Sequence, residues 1–276
     1  RYIVYSTSST EPGTYYFGDR DEKTLYPIAN RYGRLKSELL ADTQYLTYEA
    51  RDKLKIDAYL TVPKGLEAKQ LPTIIFPHGG PISYDSNDFD YWAQFFANRG
   101  YAVFRMNFRG SAGYGYEFMK AGLKSWGLEM QNDVEDGTRY LIAQGISDPK
   151  RICIVGASYG GYAALMGAAM TPDLYRCAVS VAGVTDVAYL VKSSRRFTNY
   201  KVVKEQIGDD FDALYDRSPI SKADKINIPV LLLHGDKDRV VKVQHSREMY
   251  DELKSLKKPV EYIELENGDH YLSNND

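Results

Sequence analysis

The stretch VGASYGGYAA, residues 155–164, places a serine, Ser158, between Gly156 and Gly160. Its reading decides the fold, because the same letters suit either a presented nucleophile or a tight glycine turn. The run RICIVG before it is apolar enough for a buried strand, and YGGYAALMGAAM after it is a helix of small residues. A sharp strand-to-helix turn lifts a serine hydroxyl above a sheet. Glycines on either side remove the Cβ atoms that so tight a turn would crowd. The helix that follows turns free N–H groups and its positive dipole end toward the serine.

Outward from this point strands and helices alternate. TIIFPHGG, YAVFRMNFRG, RICIVGAS, CAVSVAG, PVLLLHG and PVEYIEL read as strands; YWAQFFANRG, DVEDGTRYLIAQG and QHSREMYDELKSL read as helices between them. In the second helix Val134, Gly137, Leu141 and Ile142 are available to one face. Apolar strands without alternation, each followed by a helix, predict an α/β fold with a mostly parallel sheet covered on both faces. QYLTYEA and KIDAYLTVP predict a hairpin at the start of this region. The first 42 residues differ: YIVYSTSST, TYYFGDR and KTLYPIA are short and Tyr-rich, with Glu11-Pro12-Gly13 as a turn signal, and predict an antiparallel meander. The expected division is 1–42 for this β segment and linker and 43–276 for the α/β domain.

Bulk properties narrow the function classes. A formal charge of −2 and a pI near 6.2 give no electrostatic reason to expect nucleic acid or a membrane surface as partner. No apolar run approaches the ~20 residues that span a bilayer. Cys153 and Cys177 each sit in an apolar strand-like run and are expected to be buried free thiols. The chain opens on RYIVYSTSST without a Met, as a piece of a longer polypeptide would, so the compartment stays unassigned.

Ligands in such sheets sit beyond the carboxyl ends of the strands. A serine there needs a base to take its proton. Of the four histidines, His270 follows the strand PVEYIEL in the loop ENGDH and is the expected base. His234 ends an apolar strand and is expected to be structural; His245 is expected on a helix surface; His78 is expected to shape its loop. The base needs a carboxylate for its other ring nitrogen. The loop HGDKDRVV supplies Asp236 and Asp238, and Asp238, deeper in the loop and beside two valines, is preferred; Asp269 reads as a local loop carboxylate. Donors for a developing oxyanion are expected from the Tyr159 N–H and from the loop HGGP, with Gly80 preferred and Gly79 the alternative.

These ordered motifs, together with NFRGSAGYG, WG before DVEDG, SPI before PVLLLHGDKDRVV, and GDH, resemble the catalytic domain of the prolyl oligopeptidase family of serine peptidases. The resemblance covers residues 45–276 and is nearest the acylaminoacyl-peptidase and dipeptidyl-peptidase-like branch. It implies an α/β-hydrolase fold and a Ser158–Asp238–His270 triad, with Tyr159 and Gly80 as oxyanion donors and no cofactor. It also implies a short peptide or acyl-peptide substrate and an N-terminal β-propeller in the parent chain, of which residues 1–42 would be the last blade. By position it assigns Val184, Val187, Leu190 and Val241 to an apolar pocket for the side chain preceding the scissile bond. The family carries a further helix past the base that is expected to be missing here. Oligomeric state, a homo-oligomer included, is left open. A carboxylesterase with the same triad is the rival reading, since esters need the same acyl transfer. A non-catalytic interaction domain would require a missing triad member, and none is missing.

Overall fold

The computed structural model describes residues 1–273. Its first three strands, β1 (Tyr2–Ser8), β2 (Glu11–Asp19) and β3 (Thr24–Asn30), form a separate antiparallel sheet in the order β1-β2-β3. The meander is as expected, but the chain reverses at Ser9-Thr10, and Glu11-Pro12-Gly13 lies inside β2. Gly13, at φ +120°, instead makes room for the Tyr5 ring, which a Cβ there would strike.

The remaining strands build one eight-stranded sheet. β4 (Thr43–Glu49) and β5 (Lys55–Thr61) form the expected hairpin, and β5 runs antiparallel to β7 (Ala102–Met106). From β7 onward the sheet is parallel through β6 (Leu71–Ile75), β8 (Ser147–Ala157), β9 (Cys177–Val181), β10 (Val230–Gly235) and β11 (Val260–Leu265). The spatial order is β11-β10-β9-β8-β6-β7-β5-β4. β8 therefore stands inside the sheet, between β6 and β9, and every residue of β7 is buried.

Eight α-helices are found among the described residues: α1 (Tyr91–Ala97), α2 (Tyr116–Lys120), α3 (Glu129–Ala143), α4 (Tyr159–Met170), α5 (Val187–Ser193), α6 (Tyr200–Ile207), α7 (Phe211–Asp216) and α8 (Gln244–Ser255). α3 is amphipathic as its spacing predicts, burying Val134, Gly137 and Leu141. α4 is buried along its whole length except Met170. Its glycines and alanines let it approach β9 so closely that a Cβ on Gly161 would lie 2.7 Å from the Ser180 hydroxyl. Among the described residues no helix is long and apolar enough to cross a membrane.

Two expectations are corrected. Cys153 and Cys177 are joined in a disulfide, and the described residues contain no free cysteine. The parallel pairing of β8 with β9 sets the two residues directly opposite each other, with Cα atoms 4.8 Å apart. His245 is buried, not on the surface. It lies on the face of α8 that also buries Ser246, Met249 and Leu253, and its Nδ1 accepts from the main-chain N–H groups of Thr185 and Asp186. The expectation that the family's further helix past His270 is missing bears on the chain beyond Ser273, outside the described residues.

Candidate active site

β8 ends at Ala157 and α4 begins at Tyr159, so Ser158 alone makes the turn. Its backbone sits at φ 57°, ψ −119°, a conformation that a non-glycine residue adopts only where its surroundings impose it. The surroundings do. The Ser158 N–H donates to the Val181 carbonyl, and its own carbonyl accepts from Tyr162 N–H. A Cβ on Gly156 would lie 2.3 Å from Gly160 main-chain atoms, and one on Gly160 would lie 2.1 Å from the Pro77 carbonyl oxygen. Neither position has room for a side chain, which is why glycine brackets the serine.

The HGGP loop leaves the neighbouring strand β6 and lies on this turn. A Cβ on Gly79 would be 3.2 Å from the Ala157 carbonyl oxygen and 3.5 Å from Ser158 Cβ. Gly80 takes φ +129°, where a Cβ would press on Ile82 and Ser83. His78 shapes the loop as expected: Nδ1 bonds to the Gly79 carbonyl, Nε2 meets the Ser111 hydroxyl, and the ring stacks on Phe108. Burial pushes its pKa down to about 4, so it is neutral and engaged at both nitrogens. Tyr159 is the first residue of α4, where main-chain N–H groups have no intrahelical acceptor.

Two further loops leave β10 and β11, parallel neighbours of one another at the same edge. Asp238 and His270 meet there, with His270 Nδ1 donating to Asp238 Oδ2 at 2.6 Å. The other carboxylate oxygen accepts from Val240 and Val241 N–H at 2.8 and 2.9 Å. Burial works to raise the Asp238 pKa, but hydrogen bonds from His234 and His270 outweigh it and hold the carboxyl well below its usual range. His234 is fully buried and structural as expected, bonded to the Ser246 hydroxyl and the Val241 carbonyl, with Nε2 3.3 Å from Asp238. Asp236 points to Lys237 instead. Asp269 accepts from Tyr271 and Ser273 N–H within its own loop.

The remaining motifs support these loops. Arg109 of NFRGSAGYG grips Asp133 of DVEDG through two nitrogens, at 2.8 and 2.7 Å, and reaches Asp52 at 2.8 Å. Trp126 of WG packs edge-on against the Tyr159 ring. Ser218 of SPI accepts from Val187 N–H, and Ile220 N–H donates to the Thr185 carbonyl, which fixes the segment carrying the pocket candidates. Val184, Val187 and Val241 belong to the central hydrophobic core, and Leu190 is half-buried against it. The sequence reading passed over the buried Arg105 and Asn107 at the end of β7 and the half-buried Asp85 on the loop that follows Gly80. The hydrophilic letters inside the apolar run AVFRMN were the available signal. A cleft of about 710 Å³ is lined by Leu39, Trp92 and Phe95 and by none of the candidate catalytic residues.

A parallel sheet with a strained serine on the turn after an inner strand defines an α/β-hydrolase. Comparison with known proteins narrows the class. The description "Prolyl oligopeptidase family" matches residues 87–276, and the chain belongs to that family of serine peptidases. It is 32% identical over 276 residues to dipeptidyl aminopeptidase BIII of Pseudoxanthomonas mexicana, covering 95% of this chain and 40% of the relative. Among solved structures it resembles a Mycobacterium tuberculosis puromycin-hydrolyzing peptidase (27% identity, TM-score 0.88, 97% of this chain and 42% of that one). It also resembles the acylaminoacyl peptidase of Pyrococcus horikoshii (28%, TM-score 0.85, 97% and 44%). The chain thus spans about two-fifths of the length of these proteins.

Proposed function

We propose that this chain is the catalytic part of a serine peptidase that hydrolyses short peptides, acyl-peptides or dipeptidyl amides through an acyl-enzyme. The observation that carries the reading is the 2.6 Å hydrogen bond from His270 to buried Asp238, on the sheet edge where Ser158 makes its turn. With Nδ1 committed to the carboxylate, His270 Nε2 is the nitrogen that takes the Ser158 proton as Oγ attacks the scissile carbonyl. Asp238 holds the ring orientation and stabilises the imidazolium. The N–H groups of Tyr159 and Gly80 receive the oxyanion. Collapse expels the amine with the proton from His270, and water repeats the sequence on the acyl-enzyme.

The names of the similar proteins support an amide substrate with a short or blocked amino end. We assign residues 1–42 to the end of an N-terminal β-domain, a propeller blade, and 43–276 to the catalytic domain; the greater length of the similar proteins supports this. The pocket for the side chain preceding the scissile bond falls in our reading at the 184–190 segment, with Leu190 at its rim and Val184, Val187 and Val241 beneath.

The test uses the longest natural polypeptide carrying this chain. A fluorophosphonate probe labels wild type and fails to label Ser158→Ala; equal labelling of both removes Ser158 as nucleophile. Acyl-peptide or dipeptidyl amide hydrolysis is expected alongside. Fast p-nitrophenyl ester turnover with neither amide cleaved would make the protein an esterase.

A further inference from the structure

We propose that Asn107 is a positioning residue for the oxyanion loop: its side-chain amide fixes the main chain of the segment carrying Gly80. The inference rests on the serine-peptidase reading above and goes beyond it by asking what holds the oxyanion donor in place. Asn107 directly follows β7 and is completely buried. Its Oδ1 accepts from Asp85 N–H at 2.7 Å, and its Nδ2 donates to the Asp85 carbonyl at 3.0 Å. One amide thus pairs with both polar groups of a single loop residue, as a neighbouring strand would. Nδ2 also donates to the Tyr114 hydroxyl at 2.8 Å, and the Asn107 N–H donates to the Asp57 carbonyl on β5. Two separate segments therefore meet at the side chain, and the main chain of the same residue ties in a third.

The connection from Asp85 to Gly80 is short and stiff. Ser83 N–H donates to the Pro81 carbonyl, and the Ser83 carbonyl accepts from Ala112 N–H at 2.8 Å. Gly80 is curled so tightly on this turn that a Cβ would lie 3.1 Å from Ser83 Cβ. At the other end Gly79 rests on Ser158. Between those anchors the loop has little freedom of its own, so a shift at residue 85 passes to Gly80. An oxyanion donor acts through its exact distance to the developing charge, and a displacement of about 1 Å can cost ~100-fold in rate.

The test is Asn107→Ala and Asn107→Asp in the longest natural polypeptide, the latter keeping the acceptor and the shape while losing both donated bonds. If Asn107→Ala does not fold, Asn107→Asp carries the measurement. Each folded variant is expected to lose about 10- to 100-fold in kcat with KM within about threefold. Affinity for a peptide boronic acid, which places an oxygen at the oxyanion position, should fall in parallel with kcat, while affinity for the product peptide stays unchanged. A purely structural role predicts a lower melting temperature with kcat and boronate affinity kept within twofold, and that result overturns the proposal. Absence of fluorophosphonate labelling at Ser158 in wild type would instead bring down the functional reading, and this proposal with it.

Discussion

A Cβ placed on Gly235 would lie 2.2 Å from the carbonyl oxygen of Gly268. The loop carrying Asp238 and the loop carrying His270 thus touch through bare main chain. Lys237 N–H donates to that same Gly268 carbonyl at 2.9 Å, and Asp236 N–H donates to the Leu265 carbonyl at 3.1 Å. Asp238 and His270, the proposed acid and base, are therefore held by loops joined to each other through main-chain contacts. Gly235→Ala is expected to force the loops apart, lowering kcat at least tenfold and stability by about 1–3 kcal/mol. Steady-state kinetics and urea unfolding of the same preparation check both; unchanged kinetics would show that the two loops position their side chains independently.

Asp238→Asn should reduce kcat by about 10⁴. With its oxygen kept on the Val240 and Val241 N–H groups, an amide there turns its NH₂ to His270 Nδ1, which must accept and so leaves the ring in the wrong tautomer. Substrate affinity should change little, which a kcat against KM comparison will show.

Arg109→Lys is expected to destabilise the fold by about 3 kcal/mol or more, because a lysine cannot span Asp133 and Asp52 together and leaves buried Asp133 half-served. Burial raises the Asp133 pKa above its usual range, and the two-nitrogen grip of Arg109 opposes that rise. Chemical unfolding of the variant measures the loss. A change under about 0.5 kcal/mol would mean that lysine replaces the grip.

Acid should weaken the fold through its buried histidines. Burial pushes His245 down to about 3 and His78 down to about 4. A histidine depressed in the folded state contributes stability that is fully present above its unfolded pKa of about 6.5 and is lost as pH falls through the folded value. His245 Nδ1 already accepts two main-chain N–H groups, so a proton there breaks both bonds. Melting temperature should decline between pH 6.5 and 4, and His245→Asn should flatten the decline. An unaltered profile in that variant would assign the acid sensitivity elsewhere.

The order of strands and the identity of the residues after them were readable because each buried strand is a short apolar run that ends in a distinctive loop. Ser158, Asp238 and His270 were selected on that ground, and the structure sets Asp238 and His270 in direct contact. Properties that depend on which strands are neighbours were not readable. Cys153 and Cys177 meet only because β9 lies beside β8 in one register, and residues 24 apart carry no sign of it. His245 looked exposed because its helix is rich in charge; the buried face of α8 is narrow, and His245 lies on it to receive the Thr185 turn. The short helices α5, α6 and α7 span 6–8 residues each, too few for a hydrophobic period to stand out. Asn107 needed the path of the loop it clamps.

The Cys153–Cys177 bond has a topological consequence. It joins the strand before Ser158 to the strand after α4, so the proposed nucleophile rides on a closed covalent ring. A protease cut anywhere inside that ring would leave the polypeptide in one connected piece, with both flanks of Ser158 still tied to the sheet.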